Sequence, residues 1–93
     1  MTEKKEIKLR VPESMQAGSF ANNTMVSHSR EEFIMDFLMV APPGGTVVSR
    51  VIVTPGHLKR MISTLKDNLD KYEKSFGPIN PTDLPPFKMG FSG

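Results

Sequence analysis

Residues 32–41 read EFIMDFLMVA, and residues 42–54, which follow directly, read PPGGTVVSRVIVT. With the two-residue period of a strand, both faces of the first stretch are apolar. One face carries Phe33, Met35, Phe37 and Met39, and the other carries Ile34, Asp36, Leu38 and Val40. The second stretch is rich in β-branched residues. The two stretches therefore predict an antiparallel hairpin that turns at residues 42–45.

The return strand of this hairpin, predicted over residues 46–54, is also apolar on both faces. Strict alternation places Val47, Val51 and Val53 on one face, and Val48 and Ile52 on the other with Arg50.

Asp36 lies on an otherwise apolar face. Because buried charges are usually matched, we expect an ion pair between Asp36 and Arg50 on the neighbouring strand. The alternative is a carboxyl group with a raised pKa, poised as an acid or a base.

Two further strands are predicted before the hairpin. Residues 7–11 read IKLRV, a strict alternation that ends at Pro12, and residues 18–28 form a less regular extended segment. The predicted fold is α+β: a four-stranded antiparallel sheet in β-β-β-β-α order, followed by one long C-terminal helix and an irregular Pro-rich tail.

The helix has clear start and stop signals. Thr54 supplies an N-cap hydroxyl, Pro55 occupies the first helical position, and Gly77-Pro78 ends the helix after residue 76. An apolar stripe at spacings of four and three runs through Leu58, Ile62, Leu65, Leu69, Tyr72 and Phe76. We expect this stripe to pack on its own sheet, with a second helix as the alternative partner.

The sequence divides into a domain over residues 1–77 and a Pro/Gly-rich tail over residues 78–93. The tail is apolar at Leu84, Phe87, Met89 and Phe91, so we expect it to dock against the protein.

A chain of 93 residues has a thin core, and this one has no cysteine and two widely separated histidines, His28 and His57. Neither a disulfide framework nor a compact zinc site is possible, so unusually good packing and self-association are the remaining means of stabilisation. A single helix covers one sheet face, and a second copy is predicted to cover the other; the alternative cover is the tail. The candidate oligomer or peptide interface consists of Phe33, Met35, Phe37, Met39, Phe87, Met89 and Phe91.

Several functional classes are disfavoured. The charged N-terminus and the lack of a long apolar run predict a cytoplasmic protein without a membrane partner, and a net charge of +2 spread along the chain disfavours nucleic acid. Ser27 and His28 are adjacent on a predicted strand and point to opposite faces, which disfavours a nucleophile and base pair. Residues 42–45 lack the lysine and the helix of a phosphate loop. We expect no catalytic, cofactor or metal site.

Six blocks of sequence resemble a family of short prokaryotic proteins that is catalogued only as a domain of unknown function. They are GSFAN at 18–22, VSHS at 26–29, EFIMDF at 32–37, SRVIVTP at 49–55, HLKR at 57–60 and NLDKYE at 68–73. The resemblance runs from about residue 7 to residue 77. Gly56 departs from it, since an acidic residue is expected there. The resemblance implies a self-contained domain and brings no activity, cofactor or catalytic residue.

The order of strands, helix and apolar tail is also loosely similar to the SecB export chaperone. The expected function is a non-enzymatic, self-associating binding or scaffold module. The alternatives are a SecB-like holdase for extended peptides and a regulatory subunit that needs another protein as its partner.

Overall fold

The computed structural model describes residues 5–81. A short 3₁₀ turn at Glu13–Met15 precedes three strands, β1 (Asn23–His28), β2 (Phe33–Ala41) and β3 (Gly44–Val53), and one helix, α1 (Pro55–Phe76). The strands form one antiparallel sheet in the order β1-β2-β3. The chain divides between Leu58 and Lys59 into two compact units, one of which contains the sheet. The predicted α+β class, with antiparallel strands followed by one helix, is confirmed.

Of the four predicted strands, the first in the chain, over residues 7–11, does not form. Its apolar residues Ile7, Leu9 and Val11 are largely exposed. Alternation predicts which residues of a strand share a face, but it does not provide a neighbouring strand. A strand that lacks a partner along its backbone is not stable in water.

The second predicted strand is shorter than expected and begins at Asn23 rather than at residue 18. Gly18 has a φ of 72°, outside the extended region, and the backbone N–H groups of Met15 and Gly18 bond within a local turn. The turn therefore occupies the first part of the segment that composition marks as extended.

The β2–β3 turn consists of Pro42 and Pro43, joined by a cis peptide bond, and Ala41 pairs with Gly44. Gly44 and Gly45 belong to β3 instead of to the turn. A Cβ at Gly45 would lie 3.2 Å from the Met39 carbonyl oxygen and 3.2 Å from Val40 Cγ2, so the strands approach closely there.

α1 begins and ends as its sequence predicts. The Thr54 hydroxyl oxygen accepts a hydrogen bond from the His57 N–H at 3.2 Å, and the Gly77 N–H donates to the Glu73 carbonyl oxygen at 2.8 Å. In the last turn, the rings of Tyr72 and Phe76 lie 5.0 Å apart. The packing of the apolar stripe on its own sheet stays a prediction.

Gly77→Ala is expected to lower the free energy of unfolding of the helix end by about 1 kcal/mol, because Gly77 has a φ of 92°. Gly56 lies inside α1 and does not have a positive φ. Gly56→Ala is therefore expected to raise helix stability by about 0.5–1 kcal/mol. Thermal unfolding followed by circular dichroism measures both. Equal effects of the two substitutions would contradict this role of Gly77.

Candidate functional site

The pairing register assigns every central sheet residue to one of two faces, because directly paired residues share a face. The first face has no Asp, Glu, Lys or Arg in its three central rows, and we call it the neutral face. The second contains one ion pair, and we call it the ion-pair face. The neutral face has the rows His28-Phe33-Val53, Val26-Met35-Val51 and Thr24-Phe37-Ser49. The ion-pair face has the rows Ser27-Ile34-Ile52, Met25-Asp36-Arg50 and Asn23-Leu38-Val47.

A β-bulge at Val48 changes the predicted faces of β3. Phe37 pairs with Ser49 while Leu38 pairs with Val47, so Val48 is an extra residue in the ladder. Val47 therefore shares the ion-pair face with Arg50 and Ile52, and the prediction that it shares a face with Val51 and Val53 is wrong. Period two fails beyond the bulge, and nothing in the run of valines marks the insertion.

Asp36 and Arg50 face each other in the register and form a bidentate ion pair. The Arg50 Nε donates to Asp36 Oδ1 at 2.6 Å, and the Arg50 Nη2 donates to Asp36 Oδ2 at 3.0 Å. The pair is asymmetric in burial: the Asp36 side chain is 4% exposed, whereas the Arg50 side chain is 55% exposed. The pair therefore lies at the boundary between sheet and solvent, with its carboxylate inside.

The hydrogen bonds from Arg50 lower the pKa of Asp36, assisted by the guanidinium charge and opposed by burial. The same hydrogen bonds raise the pKa of Arg50. Asp36 is therefore ionised at neutral pH and held by its partner. A raised pKa, which an acid or base at neutral pH needs, is not what this geometry produces.

The Asn22 side chain extends the sheet beyond the first residue of β1. Its Nδ2 donates to the Val40 carbonyl oxygen and its Oδ1 accepts from the Val40 N–H, both at 2.8 Å, while the Asn22 N–H donates to the Leu38 carbonyl oxygen at 2.9 Å. A primary amide has the same donor and acceptor as a peptide group, so Asn22 reproduces a backbone pair.

Asn22→Ala removes two hydrogen bonds and is expected to lower the free energy of unfolding by about 1–2 kcal/mol. Asn80→Ala, at an exposed asparagine beyond α1, is the control and is expected to have an effect within about 0.5 kcal/mol. Urea unfolding measures both. An Asn22→Ala variant as stable as the control would show that water replaces these bonds without loss.

The candidate interface residues of β2 lie on the neutral face, at different depths. Met35 is 8% exposed, Phe33 and Phe37 are half-buried, and Met39 is exposed. Met35 therefore lies beneath the surface instead of on it. Phe87, Met89 and Phe91 lie outside the described residues.

Exposed apolar side chains lie on both faces of β3, which the alternating pattern predicted to be covered, as well as on α1 and in residues 7–20. Val51 on the neutral face is 41% exposed, and Ile52 on the ion-pair face is 55% exposed. Among the residues that the structure describes, the buried apolar side chains are Met35, Leu38 and Val53. The run of Val and Ile is typical of a strand that is covered on both faces, so it did not mark β3 as an edge strand, and the sequence does not give the strand order.

The two histidines lie in different elements of the described structure. His28 ends β1 on the neutral face, with its ring 5.3 Å from the Phe33 ring, while Ser27 faces Ile34 on the opposite side of the sheet. His57 lies in the first turn of α1. The structure does not bring Ser27 and His28 side chains together.

A half-open depression of about 410 Å³ lies where residues of the segment 14–21 meet Phe37, Val48 and Ser49. Its lining is neutral and consists of serine hydroxyls, small residues and apolar side chains. Over residues 5–81, no group of three or more His, Asp or Glu side chains is placed to hold a metal ion. No helix in that range is long and apolar enough to cross a membrane.

Residues 1–81 match the model of a family described as "Protein of unknown function (DUF3467)". The match covers all the residues that the structure describes, including the sheet and the helix. No curated protein and no solved structure matches the chain.

Proposed function

The chain belongs to the DUF3467 family of proteins of unknown function, and we propose that it is a non-enzymatic protein-binding module that assembles from copies of itself through its sheet. The observation that supports this most directly is the mismatch between core and surface. The described residues bury three apolar side chains, while β3 exposes apolar side chains on both faces.

The energetics of a small domain favour association. Burial of apolar surface contributes roughly 25 cal/mol per Å², and ordering the backbone of each residue opposes folding by about 1–2 kcal/mol. Three buried side chains are few against that opposing term, and the sequence contains no cysteine for a disulfide. Covering Val51 and Ile52 with a second copy removes further apolar surface from water.

The non-enzymatic part of the proposal follows from the state of the polar groups in the sheet. The buried carboxylate, Asp36, is bound by Arg50 and has a lowered pKa. The described depression has no titratable side chain in its lining. Among the described residues, neither site offers a titratable acid or base that could act at neutral pH or activate the serine hydroxyls of the depression.

Concentration-dependent melting tests the proposal. If copies assemble, raising the protein concentration about 100-fold stabilises the folded dimer by about 2.7 kcal/mol and raises the Tm by roughly 5–10 °C. A second series uses a chain that ends at Pro81 and therefore lacks the tail. If copies associate through the sheet, the Tm of this shorter chain still rises with protein concentration, and this separates self-association from cover by the tail. A Tm that does not change with concentration in the full chain would contradict the proposal. Monomeric protein that suppresses the aggregation of an unfolded client would favour a holdase instead.

A further inference from the structure

The outer edge of β3 is the part of the sheet that is best suited to pair with another strand. β3 has ten residues, contains no proline and pairs on one side with β2, and no other described strand lies beside it. An edge strand presents a row of backbone N–H and C=O groups that another strand can pair with. We infer that this edge pairs antiparallel with β3 of a second copy, and this inference rests on the proposed self-association.

The direction of the backbone groups follows from the bonds of Asn22. The Val40 N–H and C=O both bond the Asn22 side chain on the β1 side of β2. Backbone groups point alternately to the two sides of a strand, so those of Phe33 and Met35 point towards β3. The backbone N–H and C=O groups of their partners, Val53 and Val51, therefore point back towards β2. The N–H and C=O of Ile52, between them, point away from the sheet.

The side chains of β3 favour a strand over a flat layer as the occupant. A layer packed on the sheet covers one face, whereas a strand alongside contacts the side chains of both faces. Val51 and Ile52 are adjacent in sequence, point to opposite faces and are both exposed. Strand pairing shields both at once.

The charge of β3 favours a second copy as that strand. Arg50 is the one charged residue of β3, and every other position is apolar, Gly, Ser or Thr. In a two-fold antiparallel pair, a register centred on Val51 places each Arg50 opposite the partner's Ile52 and sets the two Val51 side chains together on the neutral face. The two Arg50 residues are then not directly opposite each other but are diagonal neighbours about 7–8 Å apart, and each is bound to the Asp36 of its own copy, while the apolar side chains meet.

The opposite edge of the sheet provides a matched control. By the same alternation, the backbone groups of Ser27 point towards β2 and pair with those of Ile34. The N–H of Val26 on β1 therefore points away from the sheet, as that of Ile52 does on β3. Val26 and Ile52 are each 55% exposed. A proline at either position removes an outward N–H and an exposed apolar side chain without removing a ladder bond.

Sedimentation equilibrium of Ile52→Pro and Val26→Pro tests the inference, with circular dichroism to verify folding. Ile52→Pro is expected to weaken self-association at least tenfold, by about the loss of two symmetry-related hydrogen bonds, and Val26→Pro to leave it within about twofold. Association of Ile52→Pro equal to wild type overturns edge pairing, and loss in Val26→Pro alone moves the contact to β1. A wild-type chain that is monomeric throughout overturns the proposed self-association itself.

Hydrogen exchange tests the same contact without a substitution, in case the proline variants do not fold. At high protein concentration the Ile52 N–H is expected to exchange at least tenfold more slowly than in dilute solution, while the Val26 N–H changes little. Equal changes at the two positions, or no change at Ile52 in a chain that associates, overturn edge pairing.

Discussion

Arg50→Met is expected to destabilise the protein more than Asp36→Asn, although both break the same ion pair. Without Arg50, the Asp36 carboxylate, 4% exposed in its side chain, keeps its charge and loses two donors. Without the Asp36 charge, Arg50 remains half exposed and solvated. Leaving a buried charge without its partner is the costlier change. Urea unfolding at pH 7 gives the order of the two free energies.

The pH dependence of the two proteins has opposite sign. In the wild type, Arg50 lowers the pKa of Asp36, so its stabilising contribution is complete above the unfolded pKa of about 4 and is lost as the pH falls further. In Arg50→Met, burial is the cause that remains and it raises the pKa of Asp36, so this variant gains stability as the pH falls towards 4. The difference between wild type and variant therefore shrinks on acidification.

The double variant Asp36→Leu with Arg50→Met is the control for this prediction. It removes the buried charge together with its partner and is expected to be more stable at pH 7 than Arg50→Met alone. If the double variant is equally unstable, the loss comes from packing of the Arg50 stem and the account of the ion pair is wrong.

Leu38→Ala is expected to lower the free energy of unfolding by about 3 kcal/mol. Leu38 is 6% exposed and is one of three buried apolar side chains among the described residues. A domain of this size has a total stability of roughly 5–10 kcal/mol, so one deletion removes a large share of it.

Phe20→Ala provides the comparison for Leu38→Ala, because it deletes a larger side chain that is 78% exposed. Its expected effect is within about 0.5 kcal/mol. Urea unfolding at one fixed protein concentration measures both variants, since association contributes to stability. A larger loss from Phe20→Ala would place the core elsewhere.

The sequence predicted the hairpin and its helix well because their signals are local. Both faces of residues 33–41 are apolar, and Thr54 caps the start of α1 while Gly77 ends it. The ion pair between Asp36 and Arg50 was expected from opposite charges on facing strands, but their direct pairing also depends on the bulge at Val48. The strand pattern and the helix ends depend only on residues close in sequence.

What the sequence did not predict depends on distant or irregular pairing. The alternation of Ile7, Leu9 and Val11 lacks a neighbouring strand, and the bulge at Val48 moves Val47 to the ion-pair face. The Asn22 side chain replaces a backbone pair, which no composition rule anticipates. Strand order, which leaves β3 at an edge, was likewise not encoded in any local pattern.

Light scattering of the purified full chain measures the mass of the particle in solution and tests self-association most directly. One copy has a mass of 10.4 kDa. We expect a particle of two copies or a larger whole number of copies at micromolar concentration. A mass of one copy across the whole accessible concentration range would contradict the proposal that this sheet is completed by a second chain.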